Sequence, residues 1–422
     1  MSEMKQGMTE LTDLTACMPE MLTGQELMEA LAVLPEYDAG IVNEEGPKRL
    51  LALTNMLQIY VPGQMSVEIY NKLYIALLRS LQKKGTRLAV LQQRENHRAI
   101  QGMEYRGVIG GSDSFTIIGA SGIGKSSAIE RAVEIITGDS IITAEVPYCQ
   151  VIPCVTVQCP FDCSVKGLLL EILRKVDERL GTSYLDTALR ARATTDMLVG
   201  SVSQVALNHI GMLIVDEIQN VVNSRNGRNL VGMLTQLINT SGISICMVGT
   251  PESAVFFQQA MQLARRSLGL SYGPMPFNEF FCELCELLFS YRYVRYDTKP
   301  SETLKNWLYE HSGGVMALLV ALVHDAQEIA IMSGTERLDL QTLEEAYKQR
   351  LTMMHDFITL TKLPPTGRST KKRSAEPAPV QAESLDTQEN GLIARLVQQA
   401  KDQSLDVVLL LKQYGLLEEV AL

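Results

Sequence analysis

The stretch GASGIGKSS at positions 119–127 combines a glycine-rich loop with a lysine and two hydroxyl side chains. Gly119, Gly124, Lys125 and Ser126 satisfy the pattern G-x-x-x-x-G-K-S/T. Glycines let backbone N–H groups point at a phosphate, and the start of a following helix adds positive potential. The stretch therefore predicts a nucleotide-binding loop, although a Gly/Ser turn with a solvated lysine is the alternative.

Within this loop, Lys125 is expected to contact the β- and γ-phosphates of ATP and Ser126 to bind Mg²⁺. ATP and Mg²⁺ are thus the predicted cofactors. The predicted nucleotide-binding residues are Gly119, Ala120, Ser121, Gly122, Ile123, Gly124, Lys125, Ser126 and Ser127.

Two carboxylates follow a second apolar run, MLIVDEIQN. Its apolar residues place Asp216 and Glu217 at the carboxyl end of a buried strand. Asp216 is expected to hold Mg²⁺ through its water shell, and Glu217 to act as the general base on the attacking water. An acidic turn is the alternative, but the DE pair favours a hydrolase over a kinase that phosphorylates a metabolite.

Further polar residues follow along the chain. Thr250 ends the strand-like segment MVGT and is expected beside the γ-phosphate. Arg265 and Arg266 in QLARRSLG have no flanking carboxylates. One of them is therefore expected to reach the γ-phosphate of a neighbouring subunit, the alternative being a solvated pair on a helix.

Apolar strands alternating with amphipathic helices position these residues. Such continuous apolar strands predict an α/β fold with a parallel sheet covered by helices on both faces. The predicted elements are the strands FTIIG, CVTVQC, GMLIVDE and ISICMVGT and the helices Ser126–Ile136 and Val165–Leu180. A further helix, capped by Ser66, extends to Leu81, and the basic stretch Lys83–Arg98 is interpreted as a solvated face or a connection.

After Pro276 the pattern becomes all-helical, and a Pro-, Ser- and Lys-rich segment follows it. The predicted division is 1–63 N-terminal partner-binding extension, 64–275 ATPase core, 276–360 helical lid, 361–384 flexible linker and 385–422 C-terminal amphipathic tail. Poorly ordered ends are the alternative for both flanks.

The composition is that of an ordinary soluble globular protein, with 46% hydrophobic and 20% charged residues. No secretory signal pattern opens the chain, and the apolar run Val315–Val323 is too short to span a bilayer. We therefore expect a cytoplasmic protein with no membrane partner. The eight cysteines lack paired CxxC knuckles near Cys149–Cys163, and Cys282 and Cys285 lie in an apolar helix, so buried thiols are favoured over a metal site.

These motifs, in this order, resemble those of the AAA+ ATPases, and more closely those of the TnsC/TniB family of regulators of bacterial DNA transposition. The resemblance covers about Met65 to Leu351. It depends on GGSDSFTIIGASGIGKSS, VQCPFDCSVKGLLLEIL, HIGMLIVDEIQNV, MVGTPES and QLARRSLG. Family members usually have glycine where this chain has Cys163.

The resemblance implies a P-loop AAA+ parallel sheet with an all-helical lid and helical N- and C-terminal extensions. It implies a homo-oligomer, ring or helical filament, on double-stranded DNA that links a target-selection protein to a transposase. Hydrolysis of ATP disassembles the filament. Thr250 corresponds to sensor 1 and Arg266 (or Arg265) to the finger acting on a neighbouring subunit.

One departure concerns the lid, where many AAA+ proteins place an arginine after a Gly-Gly or Gly-Asn turn. The segment HSGGVMALLV offers Val315 and Met316 instead, so the γ-phosphate contact is left to the neighbour's arginine.

A net charge of −10 repels DNA on average, so contacts to DNA need a local basic lining. The candidates are Lys166, Arg190, Arg192, Arg225 and Arg228. Each has the alternative of a solvated charge.

Two other functions fit the motifs less well. One is an AAA+ replication initiator or helicase loader, which a neighbouring transposase gene would argue against. The other is a scaffold that binds ATP without hydrolysing it, against which Glu217 argues.

Overall fold

A six-stranded sheet in the order β2-β3-β4-β5-β1-β6 organises the protein. The computed structural model describes residues 14–110, 114–138, 140–145, 148–254 and 269–351. The strands are β1 (Phe115–Gly119), β2 (Ile142–Glu145), β3 (Tyr148–Gln158), β4 (Ile210–Asp216), β5 (Ser244–Gly249) and β6 (Leu270–Tyr272). β2 pairs antiparallel with β3, and the remaining pairings are parallel. The predicted α/β fold with a parallel sheet is confirmed.

The edges of the sheet differ from the sequence-based prediction. β2 and β6 were not predicted, and β3 begins at Tyr148 rather than at Cys154. β2 and β6 are four and three residues long, too short to show the periodicity of a strand.

The register of the parallel strands brings the polar strand ends to one edge. Ile118 of β1 pairs with Gly249 of β5, and Val215 of β4 pairs with Met247 of β5. The loops that follow Gly119, Asp216 and Gly249 therefore start side by side, with β5 between the other two strands.

Helices cover both faces of the sheet, which explains its continuous apolar strands. In β4, Met212 and Ile214 pack with the helices α3 (Gln64–Lys84) and α5 (Lys125–Thr137). Leu213 and Val215 of the same strand point to the other face. That face is covered by α6 (Val165–Leu180), α8 (Thr195–His209) and α10 (Gly227–Ser241).

Most predicted helices are close to their observed bounds. The prediction Val165–Leu180 is confirmed, and Ser126–Ile136 extends by one residue at each end. α3 begins at Gln64, so Ser66 lies in its first turn rather than at the cap, and its Oγ accepts a hydrogen bond from Gly63 N at 3.2 Å.

The basic stretch after α3 is a helix, α4 (Arg87–Ile100), rather than a connection. It packs closely against α8, since a Cβ on Gly200 would lie 2.9 Å from Ala99 Cβ. Its buried positions include the polar residues Gln92 and Asn96. Because polar residues occupy buried positions, the segment lacks the regular apolar spacing from which a helix is predicted.

The lid consists of four α-helices among the described residues and shares a core with part of the N-terminal region. The helices are α11 (Glu279–Ser290), α12 (Glu302–Ser312), α13 (Met316–Ser333) and α14 (Leu340–Ala346). The N-terminal helix α2 (Gly46–Leu53) contributes Leu53 to the core of the lid, whereas α1 (Gly24–Leu31) packs with α3 and α5. The remaining described α-helices are α7 (Tyr184–Arg190) and α9 (Asn220–Asn223), and short 3₁₀ or π turns span Leu14–Cys17, Ala39–Asn43, Thr54–Gln58 and Tyr347–Leu351.

The predicted domain division stays a prediction. By contacts the chain divides into Met1–Lys362 and Leu363–Leu422. The linker 361–384, the tail 385–422 and the end of the lid beyond Leu351 lie outside the described residues.

Helix α13 is the one described helix long and apolar enough to cross a membrane, because the run that begins at Val315 continues to Ser333. Half of it is buried in the lid, where Leu322 and Val323 are fully covered. A buried core helix passes the same test as a membrane span, so α13 is weak evidence for one.

A buried ion pair fastens α2 to the lid. Arg49 is 2% exposed, and its two terminal nitrogens each donate to a carboxylate oxygen of Glu336 at 2.6 Å. Arg49 Nη1 also donates to the carbonyl of Tyr293 at 3.0 Å. The guanidinium lowers the pKa of the Glu336 carboxyl.

We expect Arg49→Ala to lower the free energy of unfolding by about 3–5 kcal/mol, because it leaves Glu336 charged, largely buried and without its guanidinium. Urea unfolding followed by circular dichroism at pH 7 measures this. Lys48→Ala, which removes an exposed pair with Glu44, is the control and should cost at most about 1 kcal/mol.

Since the folded pKa of Glu336 is depressed, the Arg49–Glu336 pair stabilises the fold fully above the carboxyl's unfolded pKa of about 4.3. Its contribution should fade as the pH falls below that value, and equal unfolding of both variants at pH 7 would contradict the assignment.

Candidate nucleotide site

The glycine-rich loop leaves β1 at a point where a side chain has no room. A Cβ on Gly119 would lie 2.6 Å from Ile123 Cδ1 and 2.8 Å from the carbonyl oxygen of Tyr272 in β6. Contacts that short require something to move. Glycine therefore lets the loop turn tightly against the end of the sheet.

Two later glycines shape the rest of the loop. Gly122 and Gly124 have φ values of 79° and 95°, in the left-handed region that favours glycine. Gly124 caps α5, whose first-turn N–H groups have no partner inside the helix. Such a helix start, preceded by a turn of this kind, suits a phosphate group.

Lys125 is the first residue of α5, and its amine folds back onto the loop. Nζ donates to the carbonyls of Gly119 and Ala120, both at 2.8 Å. Burial lowers the pKa of Lys125, while the negative charges of Asp216 and Glu217 act in the opposite direction. These three predicted site residues lie at the same edge of the sheet.

Ser126 and Asp216 line one cavity of about 210 Å³, between α5 and the strands β3 and β4. Asp216 is the last residue of β4 and is half-buried. A hydroxyl and a carboxylate are hard oxygen ligands of the kind that Mg²⁺ prefers.

Glu217 is exposed and lies in a strained backbone conformation. Its φ is 56°, in the left-handed region, which costs energy for a non-glycine residue and is found most often at functional sites. Its backbone N–H donates to Asp216 Oδ1 at 2.7 Å. Its carboxylate accepts a hydrogen bond from Gln219 Nε2.

Thr250 follows β5 and takes part in a turn. Its carbonyl accepts hydrogen bonds from both the backbone and the hydroxyl of Ser253, at 3.0 and 2.6 Å. A hydrogen bond from Thr250 lowers the pKa of the Glu252 carboxyl. Thr250 therefore has a structural role that the sequence did not indicate. Arg265 and Arg266 lie outside the described residues.

The lid touches the nucleotide loop directly. The backbone N–H of Ala317, in the first turn of α13, donates to the carbonyl of Gly122 at 3.0 Å. A Cβ on Gly122 would lie 3.0 Å from Val315 Cγ1. At this contact the lid presents apolar side chains, in agreement with the arginine-free HSGGVMALLV segment.

Three of the five candidate DNA contacts lie on two joined segments. Lys166 is exposed in the first turn of α6, and Arg225 and Arg228 are exposed where α10 begins. Ser224 Oγ and Asn226 Nδ2 each donate to the carbonyl of Asp162 at 3.2 Å.

The other two candidates, Arg190 and Arg192, are exposed at the end of α7, a different segment. Arg190 Nη2 lies 3.9 Å from a carboxylate oxygen of Asp186. Among the described residues, the structure therefore shows no hydrogen bond that joins Arg190 or Arg192 to the segments carrying the other three candidates.

Of the four cysteines between positions 149 and 163, Cys159 and Cys163 are buried as predicted, whereas Cys149 and Cys154 are half-buried. Burial raises the pKa of Cys154 and of Cys159 to about 12, which keeps both protonated at neutral pH. Cys163 is fully buried with a φ of 52°. This left-handed conformation explains why glycine suits that position in the resembling family.

The geometry fits a nucleoside triphosphate with Mg²⁺. The loop supplies a helix start and a lysine for phosphates, and the cavity beside it supplies two hard oxygen ligands. Two features of the site were missed in the sequence: the contact between the lid and Gly122, and the position of Gln219 between Glu217 and Thr250. The one feature of the sequence that could have indicated Gln219 was an amide side chain two residues after the predicted general base.

The family model described as "TniB: Bacterial TniB protein" matches residues 108–269. This stretch contains all the site residues predicted above, from Gly119 to Arg266. The match confirms the resemblance to the TniB family over these residues. No protein of curated function matches the sequence.

Three of the solved structures that match this chain are the following. Drosophila ORC bound to DNA is 10% identical, with 97% of this chain and 86% of that chain covered and a TM-score of 0.42. ORC1 of Aeropyrum pernix in complex with DNA is 12% identical, with 62% and 64% covered and a TM-score of 0.40. Domain III of the Thermotoga maritima replication initiation protein DnaA is 12% identical, with 65% and 94% covered and a TM-score of 0.36. Likeness at this level adds nothing to what the sheet order and the family match establish.

Proposed function

We propose that this chain, whose residues 108–269 are of the TniB family, is an ATP-hydrolysing switch in DNA transposition. With ATP and Mg²⁺ it assembles as a ring or helical filament on double-stranded DNA in the cytoplasm. The assembly links a target-selection protein to a transposase, and hydrolysis lets it come apart. The main support is that β1 and β4, the strands that lead to Lys125, Asp216 and Glu217, end at one edge of the sheet.

Binding of the triphosphate uses groups that the loop already presents. Lys125 Nζ exchanges the carbonyls of Gly119 and Ala120 for phosphate oxygens, and the first turn of α5 donates its N–H groups. Ser126 and Asp216 would hold Mg²⁺, which would supply positive charge to the phosphates.

Hydrolysis then depends on Glu217. One carboxylate oxygen, Oε2, already accepts from Gln219, so Oε1 is available to take a proton from the attacking water. Thr250, at the end of the next strand, lies beside the γ-phosphate in this proposal.

Assembly completes the site. The described part of the lid meets the loop through Val315 and Ala317, neither of which carries a charge. Arg265 or Arg266 of a neighbouring subunit would supply the missing cation, so that rapid hydrolysis follows assembly.

The basic loops at the same end of the sheet face DNA in this proposal. Lys166, Arg225 and Arg228 contact the phosphate backbone, and Arg190 and Arg192 add to the lining. An overall charge of −10 makes such a localised patch necessary. The N-terminal region 1–63 and the tail 385–422 would receive the target-selection protein and the transposase.

Fluorescence anisotropy of a labelled duplex tests this function. Protein with Mg²⁺ and a slowly hydrolysed ATP analogue should bind the duplex, and protein with ADP should bind far more weakly. The triple variant Lys166→Ala, Arg225→Ala, Arg228→Ala should weaken binding to any sequence and reduce the salt slope by roughly one per lost phosphate contact.

The control for that variant is Lys299→Ala with Lys348→Ala, which removes two exposed lysines of the lid. It should retain wild-type affinity. Equal DNA binding with ADP and with the analogue would contradict an ATP-controlled switch.

A further inference from the structure

Gln219 lies between the predicted general base and the predicted sensor threonine. Its amide nitrogen donates to Glu217 Oε2, and its amide oxygen accepts from the backbone N–H of Thr250 at 3.3 Å. One side chain therefore joins the ends of β4 and β5, using its donor for one end and its acceptor for the other.

The residue just before Gln219 is anchored to β5. Ile218 is fully buried, and its N–H donates to the carbonyl of Val248 in β5 at 2.9 Å. This hydrogen bond and the buried side chain anchor the residue between Glu217 and Gln219 to β5.

The end of β5 also leaves space for the amide. A Cβ on Gly249 would lie 3.1 Å from Gln219 Oε1 and 2.7 Å from Ile218 Cγ2. Glycine at 249 thus allows the Gln219 side chain to rest directly against the strand that ends in Thr250.

Within the described part of the chain, the Glu217 carboxylate has no hydrogen-bond partner besides Gln219. Glu217 is exposed, and its backbone is in the left-handed region. An exposed carboxylate on a flexible side chain samples several rotamers, and a hydrogen bond to a braced amide restricts that choice.

We propose that Gln219 is a positioning residue for ATP hydrolysis, whose amide holds the Glu217 carboxylate at a fixed place relative to Thr250. The inference rests on the proposed function, because it assigns Glu217 as the base. A proton acceptor must lie within hydrogen-bond reach of the water that it activates. Holding the acceptor there raises the rate of the chemical step and leaves nucleotide binding alone.

Two substitutions separate this role from simple packing. Gln219→Glu keeps the size of the side chain and an oxygen that can accept from Thr250, but it loses the donor to Glu217. Gln219→Ala loses both. We expect each to lower kcat for ATP about 10–100-fold while the KM for ATP changes less than about twofold, in line with the effect of misplacing a catalytic group.

The matched control is Gln349→Ala, which removes an exposed glutamine that donates to Glu345 at 2.9 Å, and it should keep wild-type kcat and KM. If Gln219 served packing or the Thr250 turn alone, Gln219→Glu would keep wild-type kcat, and that result would overturn the inference. The inference would also be overturned if the Gln219 variants raised the KM for ATP and left kcat unchanged.

The same assays distinguish failure of the inference from failure of the proposed function. Turnover by wild type that is lost in Glu217→Gln but intact in both Gln219 variants rejects the role of Gln219 and keeps the function. Wild-type protein that does not turn over ATP, with or without duplex DNA, rejects the function and the inference with it.

Discussion

Replacing Arg265 and Arg266 together by alanine should lower the rate of ATP hydrolysis by the assembled protein by roughly 10³–10⁵-fold, the usual effect of an arginine finger. In the proposed assembly the lid contact at the nucleotide loop is uncharged, so an arginine from outside the protomer has to balance the charge on the γ-phosphate. Steady-state ATPase assays with duplex DNA at saturating protein measure the loss.

Mixing experiments show whether the arginine acts between subunits. Lys125→Ala subunits should fail to use ATP but still present their arginines, so mixing them with the double arginine variant should restore part of the activity. The control partner combines Lys125→Ala with both arginine changes and should restore none. No recovery in the first mixture, with co-assembly verified by sedimentation, would count against a role across the interface.

Glu217→Gln should lower kcat by roughly 10²–10⁴-fold, because it removes the proton acceptor while keeping the shape of the side chain. Nucleotide affinity should change little, since Lys125, Ser126 and the loop are intact. Assemblies on DNA should therefore persist with ATP as they do with a slowly hydrolysed analogue.

Single-turnover hydrolysis and a fluorescent nucleotide titration separate the two effects of Glu217→Gln. Glu171→Gln, which removes a partly exposed carboxylate paired with Arg174 on α6, is the control and should behave as wild type. Equal turnover by wild type and Glu217→Gln would show that Glu217 is not the base.

Local pattern was sufficient for the glycine-rich turn between β1 and α5 and for the helix Val165–Leu180, because both depend on neighbours in sequence. The convergence of Gly119, Asp216 and Thr250 could also be anticipated, because parallel strands in an α/β sheet end at a common edge. These are the parts of the site in which each residue's surroundings are set by its own strand and loop.

Other features depend on contacts that no single segment reveals. Gln219 meets Thr250 only because β4 and β5 are neighbours in the sheet. The contact of Ala317 with Gly122 joins segments nearly two hundred positions apart in the printed sequence. The partner of Arg49 is likewise distant, and a lone arginine in an N-terminal helix gives no sign that it will be buried.

Short or polar elements were not predicted from the sequence for a different reason. β6 has three residues, and α4 buries Gln92 and Asn96 where an apolar stripe would be expected. In α4 the buried amides have partners: Gln92 Oε1 accepts from Val108 N at 2.6 Å, and Asn96 Nδ2 donates to the carbonyl of Thr240 at 3.0 Å. Tertiary hydrogen bonds thus replace the apolar contacts on which periodicity depends.

Analytical ultracentrifugation of the purified protein with duplex DNA is the most direct measurement of the central claim, that a bound triphosphate holds protomers together on DNA. With Mg²⁺ and a slowly hydrolysed ATP analogue, the protein should sediment with the duplex as a large assembly, and with ADP it should not. Protein that stays monomeric with duplex DNA, Mg²⁺ and either ATP or the analogue, at every concentration tried, would contradict the account.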